Sequence, residues 1–255
     1  MIGAIAGDII GSRFEGHLSP PPDFELFHAG CRFTDDTVCS LAVAEAVLGD
    51  EDFAAALRRL VRRYPRAGYG GLFLSWALAD DAPAYGSWGN GAPMRVAAVG
   101  WLAEDEKACA RLAAAQAAVT HDHPQAIQAA QVVADVILAA RQGATVEQLR
   151  KRVLGSTEYD LRPEVALRGG VADVSAVGTV PPALAAAFEA SDWEHAVRTA
   201  VCLGGDTDTL ACIAGAVAEA VHGIPGRIAA QARQLLPEDL SDMLARFEQR
   251  RGMLA

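Results

Sequence analysis

Apolar residues recur at i, i+3 and i+4 in segments 37–48 (TVCSLAVAEAVL), 52–64, 94–103, 108–119, 124–142, 192–204, 209–223 and 227–236. That period predicts amphipathic helices, and strand-like alternation is almost absent. Start signals agree: Ser191 with Glu194 and Thr145 with Gln148 have capping-box spacing, while Pro93 and Pro124 suit first-turn positions. The chain therefore reads as all-α. Ala211, Ala214, Gly215 and Ala218 put small side chains on one packing face, which lets helix axes approach closely. No repeat of 20 to 50 residues interrupts the pattern and nothing reads as a linker, so a single domain is expected over 1–255.

Two longer stretches, 14–33 and 158–180, lack periodicity, and loops of that length in a compact domain are usually functional. Composition narrows the function classes. A formal charge of −10 argues against a nucleic-acid backbone as partner, because phosphate contact needs a clustered basic face. The basic run at 58–66 (RRLVRRYPR) reads instead as the solvated face of a helix. Cys31, Cys39, Cys109, Cys202 and Cys212 are odd in number and form no CxxC, so a reducing cytoplasm is expected rather than a disulfide framework. The N-terminal stretch carries Asp8 and no basic leader, unlike a signal peptide, and no uncharged apolar run is long enough for a membrane span.

The candidate chemistry lies at two loop-to-helix junctions, 33–37 (FTDDT) and 203–209 (LGGDTDT). Each offers more polar groups than one helix N-cap needs: Thr34, Asp35 and Asp36 at the first, Asp206, Asp208 and Thr209 at the second. If the two converge, four carboxylates meet. Unit charges about 4 Å apart repel by roughly 4 kcal/mol at an effective dielectric of 20, more than capping returns. Two divalent cations would reverse the balance, and an all-oxygen donor set selects Mg²⁺, Mn²⁺ or Ca²⁺ over zinc. The segment 87–95 (SWGNGAPMR) reads as a glycine-rich turn opening a helix at Pro93, a geometry that suits an anion but is also common in plain tight turns. In 120–124 (THDHP), two imidazoles without a third ligand make a poor zinc site, and a capped helix start is the alternative.

GDIIGSRFE, FTDDT, SWGNGAPMR, THDHP and LGGDTDTLA occur in the order seen in ADP-ribosylglycohydrolases, and the chain resembles that family, in particular its compact bacterial branch, from about Ile2 to Ile228. The resemblance implies an all-α fold with a binuclear Mg²⁺ or Mn²⁺ centre held by Thr34, Asp35, Asp36, Asp206, Asp208 and Thr209. It implies that Ser87, Gly89, Asn90 and Gly91 contact the diphosphate and distal ribose of ADP-ribose, with His121, and by extension His123, beside them. Trp88 either stacks on a ring or anchors in the core. Glu15 is the expected acid–base group, with Asp36 and Asp206 as the other catalytic carboxylates, while Asp8 is expected to orient the cleft through hydrogen bonds. His17, His28, His195 and His222 are read as ordinary. The implied reaction is hydrolysis at C1 of the distal ribose of an ADP-ribosylated protein or small molecule. A binuclear phosphohydrolase and a non-catalytic ADP-ribose-binding module are the alternatives. The segment 173–181 (DVSAVGTVP) departs from the family's DVSCQGSVP-like form at Ala176 and Val177, which leaves the leaving group open.

Overall fold

The computed structural model describes residues 1–49, 52–170 and 172–253, and most of these are helical. The helices are α1 (Ile2–Gly11), α2 (Asp35–Leu48), α3 (Phe53–Arg63), α4 (Gly71–Leu78), α5 (Ala97–Leu102), α6 (Glu106–Ala118) and α7 (Pro124–Arg141), followed by α8 (Val146–Ser156), α9 (Pro163–Ala166), α10 (Ala176–Glu189), α11 (Trp193–Cys202), α12 (Thr207–His222), α13 (Gly226–Gln234) and α14 (Glu238–Gly252). One antiparallel bridge, Gly89 to Ser175, is the only extended pairing among the described residues. The fold is all-α, as the periodicity requires.

Helix α12 is buried without interruption from Thr207 to Glu219, which is why its sequence is small and apolar on every side between Leu210 and Ala218. It packs against α1, α11, α10 and α7. Its most extensive contact is with α1, whose residues are all buried. Gly3, Gly7 and Gly11 form a stripe at four-residue spacing along that contact. A Cβ at Gly7 would lie 2.0 Å from the Ala211 carbonyl oxygen, and one at Gly11 would lie 2.3 Å from that of Thr207. The glycines let the two backbones touch. That contact carries Asp8, next to Gly7, to the start of α12, where Asp208 sits.

Several expectations meet corrections. Helix α1 has no polar stripe to give it an amphipathic period. Helix α10 begins inside the second irregular stretch, its start disguised by Pro181 and Pro182; Val171 in that stretch lies outside the described residues. Ser191 does not cap α11. Asp192, in extended conformation, accepts from the His195 N–H instead. Pro93 opens no helix: Met94 N–H bonds to the Asn90 carbonyl in an isolated turn, and α5 starts only at Ala97. The Thr145–Gln148 capping box forms, and Pro124 is the first residue of α7. The basic run lies on the outer face of α3, with Arg59, Arg62 and Arg63 paired to Glu45, Asp80 and Asp239. No helix of the described residues is long and apolar enough to cross a membrane.

Candidate active site

A cleft of about 390 Å³ opens between the starts of α2 and α12 and the turn before α5. Glu15, Asp35, Asp36, Asp206, Asp208 and Thr209 line it together with Ser87, Gly89, Asn90, Gly91 and His121. The two acidic junctions, remote in sequence, face each other here: Thr209 Oγ1 donates to Asp36 Oδ2 at 3.2 Å. Asn90 Nδ2, from the glycine turn, donates to Asp206 Oδ2 at 2.6 Å and to Thr179 Oγ1 at 3.0 Å.

Capping explains only part of this charge. Thr34 caps α2 by accepting from the Asp36 N–H. Asp206 holds the N-cap position of α12 but makes no side-chain cap, its carboxylate being turned to Asn90. The preceding glycines shape that entry. Gly204 and Gly205 have φ of 75° and 77°, a region in which a side chain is strained. Gly205 N–H bonds to the His17 carbonyl, and Gly16 N–H to that of Gly205. The loop bearing Glu15 is thereby tied to the start of α12. Glu15 itself is half exposed at the rim, 3.9 Å from Arg32.

Asp8, Asp36 and Asp208 have carboxylate oxygens within 4.8 Å of one another, all three buried. Asp8 accepts from the backbone N–H of Thr34 at 2.9 Å and of Thr37 at 3.1 Å, and from both threonine hydroxyls. This fits the orienting role expected of it, with three of the bonds on Oδ2 and one on Oδ1. Asp36 Oδ1 and Asp208 Oδ1, in contrast, are buried with no hydrogen-bond partner. Burial raises the pKa of Asp36 and of Asp208 well above the usual carboxylate value, and neighbouring charge raises both further, that of Asp208 first for Asp36 and that of Asp206 first for Asp208. Asp35 moves the same way, through burial and then the charge of Asp8. No Lys or Arg forms an ion pair with any of these aspartates among the described residues. Unpartnered, buried hard-oxygen donors fit a divalent cation, and Asp36, Asp208 and their neighbours are the residues that would hold it.

The other end of the cleft is neutral or basic. Gly86 N–H donates to Asp122 Oδ1 at 2.6 Å and Ser87 N–H to the Thr120 carbonyl at 3.4 Å, so the segment at 120–122 braces the glycine turn. Ser87 Oγ accepts from the Gly89 N–H. Asn90 N–H bonds to the Val174 carbonyl and Ala176 N–H to that of Trp88. Trp88 is 56 % exposed, which removes the core-anchor reading. His123 does not line the cleft; its Nδ1 accepts from the Gln125 N–H and caps α7. Ala176 is buried at the start of α10, and Val177 faces a separate hollow of about 1050 Å³ that none of the clustered aspartates lines. Two lining groups lie outside every segment singled out in the sequence, the Gly68–Phe73 region and Tyr85, while Met94, Arg95 and Val174 lie inside such segments without a role assigned to them. The glycine density of segment 68–71 (GYGG) is the available signal for the first; Tyr85 has none.

The remote acidic junctions of this helical protein thus form one buried carboxylate centre, with a donor set that fits a metal ion, beside a glycine turn. The ADP-ribosylglycohydrolase family model matches residues 1–253, and the chain belongs to that family, whose members hydrolyse glycosyl bonds. Among curated proteins it is similar to ADP-ribosylhydrolase ARH3 of Danio rerio, 22 % identical over 88 % of this chain and 82 % of that one. It is also similar to ARH3 of Homo sapiens, 26 % identical over 88 % and 84 %. ADP-ribosylarginine hydrolase Tri1 of Pseudomonas putida (strain GB-1) is 25 % identical over 89 % of this chain and 70 % of its own. A solved structure titled ADP-ribosylglycohydrolase-related protein complex superposes with a TM-score of 0.77 at 27 % identity, covering 98 % of this chain and 97 % of that one.

Proposed function

We propose that the chain hydrolyses the bond at C1 of the distal ribose of an ADP-ribosylated protein or small molecule, releasing ADP-ribose, in the cytoplasm. The observation that carries this reading is the meeting, in one cleft, of unpartnered buried carboxylates with a glycine turn whose backbone faces the same space. Two Mg²⁺ or Mn²⁺ ions fit the donor set of Thr34, Asp35, Asp36, Asp206, Asp208 and Thr209; when bound, they supply Lewis-acid stabilisation of developing charge. The chain's own groups do the rest. Ser87, Gly89, Asn90 and Gly91 hold the diphosphate and ribose, with His121 at their side. Asp36 and Asp206 stabilise the oxocarbenium-like transition state through their field. Glu15, half exposed at the rim and lining the cleft, orients water and accepts its proton as the oxygen bonds to C1 and the bond from C1 to the leaving group breaks, then passes that proton to the leaving group. His123, whose Nδ1 caps α7 and which does not line the cleft, is left out of this role.

Incubation with arginine-linked and serine-linked ADP-ribosyl peptides in Mn²⁺ buffer tests the reading by following free ADP-ribose against AMP and inorganic phosphate. Free ADP-ribose is expected, and the faster peptide identifies the leaving group. Phosphate or AMP in its place would mean attack at phosphorus.

A further inference from the structure

Behind the glycine turn lies a chain of three buried polar residues. Arg95 is fully buried and forms no ion pair among the described residues. Its Nε donates to Gln116 Oε1 at 2.8 Å, and its Nη2 donates to the Gln116 carbonyl at 2.8 Å and to Thr120 Oγ1 at 3.0 Å. Thr120 Oγ1 lies 2.8 Å from His121 Nδ1. At the far side of the ring, Nε2 sits under the glycine turn: a Cβ on Gly91 would be 2.7 Å from it and one on Gly89 3.8 Å. Nε2 has no protein acceptor among the described residues, and His121 lines the cleft.

Proton counting along this chain has one consistent solution. A guanidinium only donates, so Thr120 Oγ1 is an acceptor towards Arg95. The hydroxyl has a single proton, and His121 Nδ1 is the acceptor within reach. The reverse arrangement, with Nδ1–H donating to Oγ1, leaves the hydroxyl proton of a fully buried threonine without a partner. Burial first, and then the Arg95 charge, pushes His121 down to about 3, so the ring is neutral with one proton to place. With Nδ1 occupied as an acceptor, that proton is on Nε2, aimed at the cleft.

We propose that Arg95 and Thr120 form a positioning relay that fixes His121 as the Nε2–H tautomer, so that it donates to a phosphate oxygen of a diphosphate-bearing ligand held at the glycine turn. The inference rests on the ADP-ribose reading above and adds to it two fully buried residues that act through His121. A buried guanidinium without a counter-ion costs stability, and the relay gives it a role that a merely structural network would not need. The bulk of Gly89 and Gly91 matters for the same reason, because any side chain there would cover Nε2.

The test uses the full chain with Mn²⁺ and the variants Thr120→Val and Thr120→Ser. Nitrogen-15 NMR of the imidazole reads the tautomer, and calorimetry reads ADP-ribose and adenosine binding. Wild type and Thr120→Ser should show the Nε2–H pattern. Thr120→Val should show mixed tautomers and about tenfold weaker ADP-ribose binding, the loss expected for one hydrogen bond to a charged acceptor. Adenosine, which lacks phosphate, should bind all three alike. An Nδ1–H pattern in the wild type overturns the relay, even where Thr120→Val fails to fold. Equal ADP-ribose affinity with and without the hydroxyl overturns it too. A wild type that shows Nε2–H but binds no ADP-ribose overturns the functional reading and the donor role with it, and so is distinguishable from failure of the relay alone.

Discussion

At the scale of single residues, the site trades stability for charge. Asp36 is buried at 1 % exposure, with one oxygen unpartnered and other carboxylates around it. Replacing it by Asn keeps the shape and removes a repelling charge, so Asp36→Asn should stabilise the metal-free protein by about 1 kcal/mol or more while abolishing divalent binding. Thermal melts in chelator together with Mn²⁺ titration check both halves; a variant that melts lower in chelator and still binds Mn²⁺ would remove Asp36 from the centre. Glu15 occupies the opposite regime, half exposed at the rim. Glu15→Gln should bind metal as the parent does and slow turnover by about 10² to 10⁴, the usual range for a lost general base. Parent-like turnover would exclude it from proton transfer.

At the scale of elements, the active site is a by-product of how α1 lies on α12. The glycine stripe sets the distance between the two backbones, and that distance sets where Asp8 stands relative to Asp208. Gly7→Ala places a methyl 2.0 Å from the Ala211 carbonyl oxygen, so the helices must part. Overpacking of this kind destabilises by about 1 to 3 kcal/mol. The expected outcome is a lower melting temperature together with weaker Mn²⁺ binding, although Gly7 touches no ligand; a melting loss with unchanged Mn²⁺ affinity would show that the aspartates are positioned independently of this contact. The same elements mark the limit of what the sequence disclosed. Helices with a wet face, such as α3 and α7, announced themselves by period. Helix α1, buried on every side, had no polar stripe to display, and α10 hid behind two prolines. The acidic junctions were legible because their charge exceeds what capping needs. The relay at Arg95 was not, because an arginine that opens no ion pair and a threonine after an alanine-rich helix look like surface residues until the packing encloses them.

At the scale of the whole molecule, the buried aspartates make stability depend on pH and on metal in a linked way. Asp8 is pushed up to about 6 and Asp35 to about 7, in both cases chiefly by burial, against an ordinary 3.8. Between those limits the folded metal-free chain binds more protons than the unfolded chain. Stability from these groups is therefore complete below about pH 4 and is lost as pH rises through 6 and 7. Cations compete with the same protons, so their contribution runs the other way, growing as the carboxylates ionise. At pH 8, Mn²⁺ at a hundred times its dissociation constant should add about 2.7 kcal/mol per site, roughly 5 to 10 °C for a chain of this size. Melting curves in EDTA and in Mn²⁺ from pH 5 to 8 should diverge steadily, the EDTA curve falling and the gap widening towards alkaline pH. Parallel curves would mean that the cluster neither holds its protons nor exchanges them for metal, and the case for a cation centre would fall with them.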